Sequence, residues 1–123
     1  MKIYRLSMFT FALVCVAPCT CLHADVPPEQ KPEVEHLITY LETSDCSMIR
    51  NGEAHDGEEA AGHVRRKYGH FRNKIDSTED FIRYSATGSL VSGKKYQVQC
   101  PGEPPVPSAE WLLEELEVYR SDG

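Results

Sequence analysis

The chain has 123 residues, 41% of them hydrophobic and 26% charged, with a formal net charge of −6. That length allows one domain, and that composition is that of a globular chain rather than a disordered one. A balance this acidic argues against general binding to nucleic acid or to anionic lipid.

Residues 1–24 carry the parts of a secretory signal: Lys2 and Arg5, an apolar run from Met8 to Ala17, and Ala24 at the end. The run is too short to cross a membrane and Pro18 closes it. Cleavage after Ala24 and export to the periplasm are therefore expected, leaving no membrane span. Lipidation of Cys19 and an uncleaved amphipathic N-terminus are the competing outcomes, the first disfavoured because Pro18 stands where a small residue is needed. Cys15, Cys19 and Cys21 lie in this leader, so Cys46 and Cys100 remain. Two cysteines in a small exported domain predict one disulfide. No C-x-x-C pair remains, which argues against a thiol oxidoreductase.

Residues 25–31, polar and proline-bearing, read as a flexible lead-in. Pro32 suits the first turn of a helix reaching about Thr43, on which Val34, Leu37, Ile38 and Leu41 share a face. Ser44-Asp45 breaks it and a strand follows from Cys46 to Arg50. Asn51-Gly52 is the pair that a two-residue type I′ hairpin wants, since both positions need positive φ. After a short returning strand, Asp56 caps a long helix and Glu59 completes a capping box. Ala60, Ala61, Val64, Tyr68 and Phe71 form its buried stripe.

Ser77 caps a third, shorter helix that buries Phe81 and Ile82. Thr87–Gly93 reads as a loop or the first arm of a second hairpin. Lys95–Cys100 alternates polar and apolar, the period of a half-buried strand. The stretch from Pro101 to Pro107 is too rich in proline for either regular structure. Ser108 is placed as the cap of a last helix with Ala109, Leu112, Leu113, Leu116 and Tyr119 inward and Trp111 flanking, and 121–123 as a tail. Cys46 opens one strand and Cys100 closes another, so antiparallel neighbours would bring their sulfurs together at one end of a sheet. The expected fold is α+β: a single domain over 32–120, with a small antiparallel sheet of about three strands and four helices packed on it.

Several blocks occur together in order: Arg50-Asn-Gly52, His63-Val-Arg-Arg-Lys-Tyr68, Thr78-Glu-Asp-Phe-Ile82, Ser92-Gly93, Tyr96-Gln-Val-Gln-Cys100 and Ser108-Ala-Glu-Trp-Leu112. With them the chain resembles the DUF5329 family, small exported proteins of Gram-negative bacteria with no assigned activity. The resemblance covers nearly all of 25–123 and implies an exported location and a shared fold. It brings no catalytic residues. At Gly88 this chain departs from relatives, which tend to carry a basic residue beside a Ser-Ser pair.

Gly88-Ser-Leu-Val-Ser-Gly-Lys94 fits the first positions of a phosphate-binding P-loop, but Lys95 stands where Mg²⁺ needs a hydroxyl. A helix precedes it and a strand follows, the reverse of the order required, so a Gly/Ser turn is the better account. Ser92-Gly-Lys-Lys95 matches S-x-x-K of penicillin-recognising enzymes without their other motifs. Glu59, His63 and His70 fall along one side of the second helix. A seven-residue step leaves His63 and His70 about 10 Å apart, too far for one ion, so neither a metal nor another cofactor is expected. An ordinary Glu59–His63 surface pair accounts for the spacing.

The basic run Arg65, Arg66, Lys67, Arg72 and Lys74 stands out in an acidic chain. Either the glutamates of the first and last helices neutralise it, or it is a contact surface for an anion or an acidic partner. Candidate contact residues are Arg50, His63, Arg66, Lys67 and His70, with Trp111 as a groove wall beside the prolines. The function expected is non-catalytic binding: an accessory module of the cell envelope recognising a protein or small anionic ligand. The alternative is a small envelope hydrolase using His63 or His70 as base, which requires a free Ser, Asp or Glu beside that imidazole.

Overall fold

The computed structural model describes residues 12–17 and 25–123, so most of the expected signal segment lies outside the described residues. Residues 12–17 form no helix or strand and are exposed. The helices are α1 (Lys31–Thr43), α2 (Gly57–Phe71), α3 (Thr78–Ser85) and α4 (Ser108–Asp122). The strands are β1 (Ser47–Arg50), β2 (Glu53–His55), β3 (Gln97–Gln99) and β4 (Val106–Pro107), ordered β2-β1-β3-β4 with every pairing antiparallel. This is the α+β fold that the periodicities predict. The sheet has four strands rather than about three, because Val106-Pro107 pairs with Gln97 and Val98. Pro107 lacks an N–H, which a sheet tolerates only at its edge, and β4 is the edge. Among the described residues no helix is long and apolar enough to cross a membrane.

Local chemistry fixes most element ends. Asn51 and Gly52 have φ of 50° and 81°, the pair of positive values that a type I′ turn requires. Asp56 caps α2 by accepting from Glu59 N at 2.9 Å, and Ser77 caps α3 by accepting from Asp80 N at 3.1 Å. Ser108 departs from expectation. It is the first residue of α4 rather than its cap, and its hydroxyl is buried without a partner among the described residues. Its N–H is spent on Tyr96 O, a sheet contact that pulls it inside the helix start.

One layer of helices covers one face of the sheet. Met48 of β1 joins Leu37, Ile38 and Leu41 of α1, with Val64, Phe81 and Leu112 of the other helices, in one core, and Val98, opposite Met48 on β3, is buried as well. Leu113, expected inward, is 40% exposed, because Leu112 and Leu116 fill the inward stripe and position 113 lies off it. The start of α2 butts against the end of α1. A Cβ at Gly57 would fall on the carbonyl of Leu41 and lie 2.8 Å from that of Glu42, so only glycine allows the approach. The β1–β3 register pairs Ser47 with Gln99 and so leads to Cys46 and Cys100, which form a disulfide with Cα atoms 4.1 Å apart.

Part of the stretch 25–31, expected as a flexible lead-in, is held against the body, while Pro28, Glu29 and Lys31 are exposed. Val26 is 2% exposed in the core, Asp25 accepts from the Tyr68 hydroxyl, and Gln30 Oε1 accepts from Thr78 N at 2.8 Å. Val26 joins the hydrophobic core, and the contacts of Asp25 with Tyr68 and of Gln30 with Thr78 hold the polar residues on either side of it.

Candidate functional site

Strand alternation puts Arg50 on the same face as Met48, so the last side chain of β1 points towards the helices. There it meets His63, which flanks the buried stripe of α2 one residue before Val64. Arg50 Nη1 lies 3.0 Å from His63 Nδ1 and 3.3 Å from Nε2. A nitrogen so nearly equidistant from both cannot sit in the ring plane without striking Cε1. The guanidinium therefore rests against the face of the imidazole. Arg50 Nε is buried without an acceptor among the described residues, a cost of about 1–3 kcal/mol.

On its other side His63 Nε2 lies 3.1 Å from the hydroxyl of Tyr96, a buried residue that immediately precedes β3. Lys67, one turn after His63, donates to the same hydroxyl at 3.2 Å and to Gly88 O at 2.6 Å. Its ammonium also lies 4.9 Å from the centre of the Tyr96 ring. Lys67 donates to one side of the Tyr96 oxygen, and the hydroxyl shares its remaining contact with His63 Nε2, the direction following the tautomer of the ring. Burial, then the charges of Arg50, Lys67 and Arg66, push the His63 pKa down to about 4. The imidazole is therefore neutral at pH 7 and surrounded by cations.

The expected neutralisation of the basic run is only partial. Glu35 of α1 pairs with Arg65 at 3.2 Å, and Asp25 reaches Arg72 at 3.9 Å. The glutamates of α4 go elsewhere, Glu115 to His36 at 2.7 Å, while Glu33 of α1 pairs with Arg120 at 2.5 Å. Among the described residues, no carboxylate lies within 4.0 Å of the charged nitrogens of Arg50, Arg66 or Lys67. Arg50 and Arg66 line an open cleft of about 640 Å³ whose other walls include His55, Asp56, Glu58 and Glu59. The cleft is thus basic at one end and acidic at the start of α2.

Expected pairings shift accordingly. Glu59 meets His55 Nδ1 at 3.1 Å, not His63, and its carboxylate is drawn away from the capping box by that strand-borne ring. His70 is exposed against the edge of Phe71 and does not join His63. Trp111 belongs to α4 and stacks on Tyr40, away from this cluster. Among the described residues, no three His, Cys, Asp or Glu side chains converge as a metal-ligand set, and no Ser, Asp or Glu hydrogen-bonds His63. Tyr96 is the member that the sequence did not single out. Its alternation with Val98 marked it as inward, but nothing local says which helix it would meet.

The loop Thr87–Gly93 is fastened to this end of the molecule. Gly88 bridges to Lys95, Ser89 N donates to Lys94 O at 2.9 Å, and Ser92 Oγ reaches Asn51 Oδ1 at 3.1 Å. A Cβ at Gly88 would come within 2.8 Å of Lys94 O, so the two arms close tightly here. It is a turn between two arms, not a phosphate loop. At its tip Leu90 and Val91 are 66% and 100% exposed.

A curated relative, "Uncharacterized protein YfeK" of Salmonella typhimurium (strain LT2), is 38% identical over 74 residues. The match covers 59% of this chain and 62% of that relative's length. No solved structure matches the chain. The family model described as "Family of unknown function (DUF5329)" matches residues 28–120, from the first turn before α1 nearly to the end of α4, and the chain belongs to that family.

Proposed function

We propose that this chain is an exported periplasmic accessory protein that binds a carboxylate- or phosphate-bearing partner through the face formed by Arg50, His63, Arg66 and Lys67. The observation that carries this is the concentration of cations without carboxylate counter-ions around a neutral imidazole, in a chain whose formal net charge is −6. Helical charge is ordinarily solvated or paired. Here a guanidinium is held with a buried N–H unsatisfied, which simple packing does not require. The acids at the start of α2 form one wall of the cleft, so it suits a single oxyanion entering beside Arg50 and Arg66 and repels a polyanion such as nucleic acid.

The exposed Leu90–Val91 tip favours a protein as the partner. An apolar tip next to fixed cations, tied to them through Lys67 and Gly88, has the composition of a contact surface with a polar rim. Export is supported by the charged and apolar composition of residues 1–24 and by the disulfide, a bond characteristic of oxidising compartments. A hydrolase based on His63 has less support, since an imidazole pushed to about 4 is a weak base at neutral pH.

The test is crosslinking in living cells, comparing the natural chain with one carrying Arg66→Glu and Lys67→Glu. Loss of a specific envelope partner in the variant is the expected result. An unchanged set of crosslinked partners contradicts the proposal.

A further inference from the structure

A second feature lies on α1 and α4, and its charge is of the opposite sign. Trp111 and Tyr40 stack with ring centroids 4.5 Å apart, and His36 stacks on Tyr119 at 4.3 Å, forming a row of rings between the two helices. At the Trp111 end the row opens into a recess of about 500 Å³ beside the Cys46–Cys100 disulfide, with Asp45 and Glu103 in its wall. Neither acid, nor Glu114 one turn beyond Trp111, has a Lys, Arg or His nitrogen within 4.0 Å among the described residues.

The sequence shows why. No lysine or arginine occurs in residues 32–49 or 96–119, the segments that build this recess, while both are studded with carboxylates. The last turn of α1, which contributes to the recess, also carries no basic residue to offset the helix's negative end. Two of these acids act on the ring together with Glu115, which pairs with His36: after burial, Glu115, Glu114 and Glu103 raise the Tyr40 pKa. Partly exposed aromatic faces are electronegative, and uncompensated carboxylates beside them add to that potential. A sugar would find flat rings here but gain nothing from the excess negative charge.

We infer that the recess bounded by Tyr40, Trp111, Asp45 and Glu103 is a binding site for an organic cation, an alkylammonium or guanidinium group stacked on the rings and neutralised by the carboxylates. The group belongs either to a free amine or to a lysine or arginine side chain of a partner.

Trp111 is the only tryptophan, so its emission reports on this recess alone. The experiment titrates the intact chain, at constant ionic strength, with tetramethylammonium, spermidine and a short lysine-rich peptide, with tert-butanol and glucose as neutral controls. A saturable change in Trp111 emission with a cation, and none with either neutral probe, is the result expected. Saturation by the peptide alone assigns the group to a partner's side chain, and saturation by spermidine as well assigns it to free amines. Tyr40→Leu should weaken the response about three- to tenfold, the size of a cation–π contact in an open recess, and Asp45→Asn with Glu103→Gln should weaken it about as much by removing the counter-charges. The isosteric amide pair preserves shape, so its effect is read even if Tyr40→Leu disturbs packing. No saturable response to any cation, or an equal response to glucose, overturns the inference.

Discussion

His63 is predicted to make the fold acid-sensitive in a window above that of the carboxylates. Its pKa stands at about 4 in the folded chain, against about 6.5 in an unfolded one. The unfolded state therefore takes up a proton as pH falls through about 6.5, and the folded state does so only near about 4. Stability is fully present above the unfolded value and is lost as pH falls towards the folded one. Between about pH 7.5 and pH 5 the linkage amounts to about 2 kcal/mol, and about half that remains once solvent screening at a half-buried ring is allowed for. Urea unfolding at those two pH values, in the natural chain and in His63→Gln, isolates the term, because the difference removes every other titrating group. The natural chain should lose about 1 kcal/mol more than the variant over this interval. Equal losses in both would refute the account of His63 as a neutral ring among cations.

The junction between α1 and α2 makes Gly57→Ala destabilising by about 2–4 kcal/mol, because backbone carbonyls cannot yield to a methyl group; denaturant midpoints measure it. Cys46→Ser, or reduction of the natural chain, should cost up to about 4 kcal/mol for a loop spanning 54 residues. The same denaturant assay with and without reductant reads it. Arg120 joins Glu33 at 2.5 Å and Glu79 at 2.6 Å and so ties α4 to α1 and α3. Arg120→Met should cost about 1 kcal/mol, since the pairs are partly exposed. The hydrogen bonds from Arg120 hold both carboxyls below their usual range. Their contribution is present above that range and is lost as pH falls through the lowered values, so acid titration of the variant should lack that step.

What the sequence made legible is what local chemistry decides. The Asn51-Gly52 turn, the Asp56 and Ser77 caps and the stripe Val34, Leu37, Ile38, Leu41 each depend on neighbours within a turn or two, and each stands in the structure. The disulfide was legible too, because strand polarity and the scarcity of remaining cysteines left one pairing. The strand β4, the place of Ser108 inside α4 and the anchoring of Val26 depend on where distant segments come to rest. The site divides along the same line. Arg50, His63 and Lys67 stood out by charge and chemistry, but the Tyr96 hydroxyl that joins two of them comes from a strand that returns after the third helix. The redirection of Glu59 to His55 was equally beyond reach, since it needs the hairpin to fold back over the start of α2.

The central claim is that the face around His63 takes an oxyanion, and the most direct measurement follows the His63 ring by NMR while inorganic phosphate is added. An anion beside Arg50 and Arg66 offsets two of the charges that hold the ring down, so the His63 pKa should rise from about 4 as the site fills. The shift should saturate, centre on Arg50, His63 and Lys67, and weaken in Arg66→Glu. A His63 resonance that does not respond, or that responds equally in Arg66→Glu, would contradict the account.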